Sequence, residues 1–168
     1  MKKQYLDFLY RLGVFNIKLG LENINNILGN INNPQQHPRI IHIAGTNGKG
    51  STLVTIEKLL LESGCSTGAT ISPHLVSFNE RFRINGESIS DDLLNEAFLK
   101  VCEACDIDIN NLENYSGESS INPTFFEFAL TMAFYAFHQK QVDYILLETG
   151  LGGRLDASNV VEKPIACV

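Results

Sequence analysis

Gly45-Thr46-Asn47-Gly48-Lys49-Gly50-Ser51-Thr52 follows directly on the apolar run Ile40-Ile41-His42-Ile43-Ala44. A glycine-rich turn carrying one lysine therefore stands at the end of an expected strand. Such a turn binds phosphate. Glycines let successive backbone N–H groups face one point, the lysine adds a mobile positive charge, and the following helix aims its positive dipole end at the same place. The common phosphate loop has four residues between its first glycine and its Gly-Lys-Ser/Thr end. Here only Thr46 and Asn47 separate Gly45 from Gly48, and Gly50 stands between Lys49 and Ser51. The turn is thus a shortened variant, and its expected ligand is a nucleoside triphosphate. The plainer alternative is a glycine-containing strand-to-helix connection with an exposed lysine.

A second set of able residues lies far downstream. Glu148 ends the near-continuous apolar run of residues 142–147. If that run is a parallel strand, Glu148 falls at the sheet edge that carries the phosphate loop, where α/β proteins gather ligands. A carboxylate there suits magnesium, because hard divalent cations take oxygen donors and the ion can bridge protein and triphosphate. A carboxylate that only caps the strand end or pairs with Arg154 is the alternative. Gly150-Leu151-Gly152-Gly153-Arg154-Leu155-Asp156-Ala157-Ser158-Asn159 follows, and its three glycines suggest backbone approaching a ligand. Within it Asp156 could orient a substrate or accept a proton and Arg154 could steady an anion, or each is a solvated loop charge.

The histidines and cysteines sort differently. His42 alternates with Ile41 and Ile43 and reads as a core histidine. His74, in Ser72-Pro73-His74, lies near the nucleotide edge and divides evenly between a functional and an exposed loop residue. Nothing argues for His37 or His138. Cys102-Glu103-Ala104-Cys105 has the gap of a metal or redox pair, but it falls in a helical pattern with no second pair or nearby histidine, so ordinary helix residues are expected. With Cys65 and Cys167 the default is free thiols.

The elements that must position these groups follow from periodicity. Tyr5, Leu6, Phe8, Leu9 and Leu12 fall at helical spacing, as do Leu21, Ile24, Ile27, Leu28 and Ile31, with a loop over residues 13–20 between them. Residues 32–38 break the chain before the first strand. A helix is expected over 51–63, stopped by Gly64, then a strand over 67–71, which makes a strand, helix, strand unit. Residues 72–87 form a long polar segment of the kind that more often serves function than slack. Ser90 caps a helix through Leu93, Leu94, Ala97, Phe98 and Val101. After a polar loop at 108–122, Pro123-Thr124 opens a helix apolar on most sides, expected to be buried. Residues 164–168 start another strand. Continuous apolar strands alternating with helices indicate an α/β fold, a mostly parallel sheet covered on both faces. A natural domain rarely ends on an apolar strand, so the sequence reads as a fragment.

At 168 residues the chain suits one domain, and 44% hydrophobic with 19% charged residues is the composition of a soluble globular protein. A net charge of −6 without a Lys/Arg cluster argues against nucleic acid or an anionic membrane surface as partner. The N-terminus meets Asp7 and Arg11 before any apolar run long enough for a signal peptide, and no run approaches a membrane-spanning length. The expectation is a cytoplasmic protein. A monomer is expected, since no long apolar face is left over.

Taken together, Lys18-Leu19-Gly20-Leu21-Glu22, the block His42 through Ser51, Ser72-Pro73-His74-Leu75 with Asn79-Glu80-Arg81, Thr124-Phe125-Phe126-Glu127, and the block from Glu148 to Asn159 resemble folylpolyglutamate synthase and dihydrofolate synthase. These are Mur-type ligases, ATP-dependent amide ligases related to those that make the cell-wall peptide. The resemblance implies a P-loop NTPase-like central domain, here residues 1–168 as an incomplete N-terminal ATP-binding domain, with the C-terminal glutamate ligase domain absent. It implies that Thr46, Asn47, Gly48, Lys49, Gly50 and Ser51 wrap the ATP phosphates, and that Ser72 and Glu148 hold Mg2+. It places Thr124, Phe125, Phe126, Glu127, Leu155, Asp156 and Ala157 against the pterin-bearing substrate, with residues 72–87 closing over it. The implied reaction phosphorylates the carboxylate of dihydropteroate or a reduced folate, and the amino group of L-glutamate attacks the acyl phosphate. Lys49, Glu148 and Asp156 are the expected catalytic residues. A cell-wall amino-acid ligase and an inactive nucleotide-binding fragment are the competing readings.

Overall fold

The computed structural model describes residues 1–13, 20–117, 119–150 and 154–168. Helices α1 (Lys3–Arg11) and α2 (Glu22–Gly29) precede strand β1 (Arg39–Ile43), helix α3 (Lys49–Glu62) and strand β2 (Thr67–Thr70). Strands β3 (Phe82–Ile84) and β4 (Glu87–Ser88), helices α4 (Asp91–Ala104) and α5 (Phe125–Gln139), and strands β5 (Tyr144–Glu148) and β6 (Ala166–Cys167) complete it. The expected loop over 13–20 falls largely outside the described residues, as do Lys18 and Leu19 of the resemblance and the glycines Gly152 and Gly153.

The sheet order is β4-β3-β2-β5-β1-β6, with β2, β5, β1 and β6 parallel. The expected mostly parallel sheet is therefore present, but its edge is an antiparallel hairpin of β3 and β4. That hairpin corrects the reading of 72–87 as one polar segment. Asn85 and Gly86 both have positive φ, 52° and 82°, the conformation of a tight two-residue hairpin turn. Phe82 is buried at the start of β3 and Ile89 just beyond β4.

Two layers cover the sheet. On one face α1, α2, α4 and α5 share the larger core, in which Phe8, Phe98 and Phe128 meet edge-on or tilted with centroids 5.3 to 5.9 Å apart. As expected, α5 is buried on most sides. On the other face α3 alone packs Leu53 against Ile41, Ile43, Ala69 and Leu146. A buried carboxylate, Glu57, ties α3 to the hairpin. It accepts from Arg83 Nε at 2.9 Å and from the Gly86 N–H at 3.2 Å. Helix α3 begins at Lys49, two residues before the expected start, because Gly48 takes φ 78° at the N-cap and lets the chain turn straight into the helix.

Candidate functional site

Strand register builds the site. Ile43 of β1 pairs with Glu148 of β5, so the last carboxylate of β5 stands beside the glycine turn that leaves β1. Thr70 of β2 pairs with Leu147, which brings Ser72 to the same edge from the other side. Lys49 Nζ donates to the Gly45 carbonyl at 3.0 Å and lies 4.0 Å from Glu148 Oε1. Ser72 N–H donates to Glu148 Oε2 at 2.7 Å, and the Glu148 N–H donates to Thr70 Oγ1 at 3.3 Å. Glu148 is buried while residues 44–48 are exposed, so the carboxylate stands at the base of an open glycine turn.

This arrangement brings together Lys49, Ser72 and Glu148, three of the residues singled out in the sequence. Arg154 is exposed and its carbonyl accepts from Asn159 Nδ2, so pairing of Glu148 with Arg154 is replaced by the contact with Lys49. A carboxylate and a neighbouring serine hydroxyl are hard oxygen donors that suit Mg2+, with phosphate oxygens and waters completing its shell. Among the described residues no cluster of three His, Cys, Asp or Glu side chains could hold a metal by itself.

Beside Glu148, a recess of about 20 Å³ is lined by Thr70, Ser72, Arg81, Phe126, Ala129 and Glu148, with apolar neighbours. Gly150 packs against Phe126, one of its lining residues. A Cβ there would stand 2.8 Å from Phe126 Cζ and 3.2 Å from Asp156 Oδ2, so only glycine lets these two side chains approach. Of the residues expected at the substrate, Phe126 and Asp156 therefore meet at this point. Leu155 is exposed and Ala157 buried beside them. Thr124 and Glu127 direct their polar atoms to one another. Thr124 Oγ1 accepts from the Glu127 N–H at 3.2 Å, and Glu127 Oε2 accepts from the Thr124 N–H at 2.8 Å. This capping box fixes the start of α5 and so the position of Phe125 and Phe126.

Asp156 is held from behind. Its Oδ1 accepts from the Ser158 N–H at 2.9 Å and from Ser158 Oγ at 2.5 Å. His42, buried in β1, lies 2.8 Å from Ser158 Oγ and 3.0 Å from Thr149 Oγ1 through Nε2. Burial pushes the His42 pKa down, opposed by the nearby Asp156. The neutral core histidine expected from strand alternation is thus also a support for Asp156. Ser158 and Thr149 were not singled out in the sequence, and a hydroxyl at either position carries no pattern of its own.

His74 is half-buried and bonded to Arg81 and Tyr10. Its Nδ1 accepts from Arg81 Nε at 2.8 Å and its Nε2 meets the Tyr10 hydroxyl at 3.3 Å. Cys102 and Cys105 are buried helix residues, as expected, and burial pushes the Cys105 thiol up to about 12.

No protein-family model matches the chain. The dihydrofolate synthase/folylpolyglutamate synthase of Escherichia coli (strain K12) is 35% identical over 164 residues, which is 98% of this chain and 36% of that protein. Among solved structures, E. coli FolC in complex with DHPP and ADP matches with a TM-score of 0.79 at 34% identity, covering 94% of this chain and 35% of that one. The bifunctional folylpolyglutamate synthase/dihydrofolate synthase from Yersinia pestis, complexed with AMPPNP and Mn ion, matches with a TM-score of 0.78 at 35% identity over 95% of this chain and 36% of that one. The chain spans about a third or less of the length of the relatives it matches.

Proposed function

Because the chain belongs to the folylpolyglutamate synthase and dihydrofolate synthase family, we propose that it supplies the ATP-binding and pterin-binding part of a ligase that joins L-glutamate to dihydropteroate or a reduced folate. The observation that carries this reading is the convergence of Lys49, Glu148 and Ser72 at one sheet edge, with Phe126 and Asp156 immediately beside them. The first group suits a triphosphate and the second a planar heterocycle.

A carboxylate is a poor electrophile, so the reaction needs a leaving group. A substrate carboxylate oxygen attacks the γ-phosphorus, an O–P bond forms, the bond from the γ-phosphorus to its bridging oxygen breaks, and ADP leaves. The amine of glutamate then attacks the acyl carbon, phosphate departs, and the surplus amine proton leaves with it. Residues 46–51 hold the phosphates through backbone N–H groups, and Lys49 neutralises charge on the terminal ones. Magnesium at Ser72 and Glu148 would offset negative charge on the transferring group. Asp156, fixed by Ser158, would accept hydrogen bonds from the pterin. Among the described residues no helix is long and apolar enough to cross a membrane. A cytoplasmic site and a monomer complete the proposal, with no nucleic acid or membrane partner.

ATP hydrolysis by the chain with magnesium and glutamate, in the presence of dihydropteroate or tetrahydrofolate, tests the reading beside a Lys49→Ala control. Turnover that needs pterin and glutamate and is lost in the control supports a complete ligase and identifies its substrate. ATP and pterin binding without turnover supports a part that needs the remainder of the family's length. Failure to bind either ligand overturns the reading.

A further inference from the structure

Arg81 is nine-tenths buried, 9% exposed, yet among the described residues no carboxylate pairs with it. Its Nε donates to His74 Nδ1, and its guanidinium carbon stands 5.0 Å from the Phe125 ring centroid and 5.8 Å from that of Phe78. Its neighbour Glu80 is not available. That carboxylate accepts from the backbone N–H groups of Leu75, Val76 and Ser77 and so shapes the loop. A guanidinium has five N–H donors, and among the described residues one of them finds an acceptor. Burying a cation without a partner is costly, and the free Nη edge presents a planar fork that matches a carboxylate or phosphoryl group.

The position of that fork identifies its ligand. Arg81 lines the recess that also holds Ser72, Phe126 and Glu148. Lys49 and the backbone of the glycine turn serve the phosphate side of Glu148, whereas Arg81 stands on the aromatic side, beside Phe78, Phe125 and Phe126. We propose that Arg81 receives the reacting carboxylate of the pterin-bearing substrate and keeps hold of it as the acyl phosphate forms. This rests on the pterin reading above and adds the group that reads the substrate's charge. His74 and Tyr10 are positioning residues in this account. His74 Nδ1 accepts the hydrogen bond from Arg81 Nε and so fixes the guanidinium beside the recess.

Binding by titration calorimetry tests the proposal, with dihydropteroate and its carboxamide analogue as probes and ATP and ADP as controls. The unaltered chain is expected to bind the acid about 10- to 100-fold more tightly than the amide, the usual range for hydrogen bonds to a charged group. In Arg81→Gln that preference should fall to about twofold or less, with ATP affinity unchanged. Arg81→Lys keeps the charge but not the fork and should fall between. It also covers the case in which Arg81→Gln does not fold, which circular dichroism would reveal. An acid preference that stays at the level of the unaltered chain in either variant overturns the proposal. A selective loss of ATP over ADP affinity also overturns it, because the cation would then serve the γ-phosphate. If the unaltered chain binds neither acid nor amide, the pterin reading itself falls, an outcome distinct from a preserved preference.

Discussion

His42 Nε2 lies 2.8 Å from Ser158 Oγ, although 116 residues separate them in the chain. The Ser158 hydroxyl has one proton, and the short contact to Asp156 Oδ1 assigns it there, because an ionised carboxylate only accepts. His42 Nε2 meets both Ser158 Oγ and Thr149 Oγ1 and so holds in place the hydroxyl that donates to Asp156. Strand β1, between β5 and the edge strand β6, thereby helps set the orientation of a carboxylate on a distant loop.

This pairing has a pH signature. The folded pKa of His42 is depressed, mainly by burial, so protonation favours the unfolded chain. The stability that neutral His42 contributes is fully present above the unfolded value of about 6.5 and is lost as pH falls through the lower folded value. Urea unfolding at pH 7.5 and in steps down to pH 5 should show a decline that is shallower in His42→Gln. Equal slopes in the two proteins would contradict it. Ser158→Ala removes the link to Asp156 and is expected to lower stability by about 1–3 kcal/mol, the usual cost of leaving a buried polar group unsatisfied.

Gly150→Ala tests the packing of Phe126 and Asp156 on the backbone of residue 150. The added Cβ would stand 2.8 Å from Phe126 Cζ and must displace it or Asp156. Overpacking of this kind costs about 1–3 kcal/mol. Pterin affinity should fall about tenfold or more while ATP affinity is retained, both read by calorimetry. Equal loss of the two ligands would place the strain elsewhere.

Glu57 joins α3 to the β3–β4 hairpin through Arg83, and its side chain is almost wholly buried. Removing Glu57 leaves the half-buried Arg83 without its carboxylate and the Gly86 N–H without its acceptor, at an expected cost of about 1–3 kcal/mol. Glu57→Ala should therefore lower the urea midpoint sharply. The double variant Glu57→Met with Arg83→Met should recover much of the loss.

Thiol labelling checks the helical reading of Cys102 and Cys105. Both are buried in the core, and burial raises both pKa values. Cys167, exposed on β6, should react with a maleimide at once, and Cys102 and Cys105 only in denaturant, as read by mass spectrometry. Prompt labelling of either core thiol would contradict the packing of α4.

Much of the fold was legible because its signals are local. The helical spacing of Tyr5, Phe8 and Leu9, the Ser90 and Thr124 caps, and the apolar run before Glu148 each report on a few neighbouring residues, and each element formed where they pointed. The β3–β4 hairpin was missed. Its strands are too short for alternation to stand out, so the Asn85-Gly86 turn was its main mark. The phosphate turn and Glu148 were visible for the same local reason, a glycine cluster after one strand and a carboxylate after another.

By itself the sequence determined the class of elements and the places of the glycine turn and of Glu148, since turn chemistry, periodicity and capping act between residues close in the chain. The tertiary structure alone decided which charges meet. The Ile43–Glu148 register brings Glu148 to Lys49, and the packing of the Ser77–Arg81 turn on Phe125 buries Arg81 as a cation that no carboxylate among the described residues pairs. Those outcomes depend on strand order and desolvation, which follow from contacts between residues far apart in sequence. His42, one more apolar-flanked strand residue when read along the chain, becomes the support of Asp156 only once the sheet has closed around it.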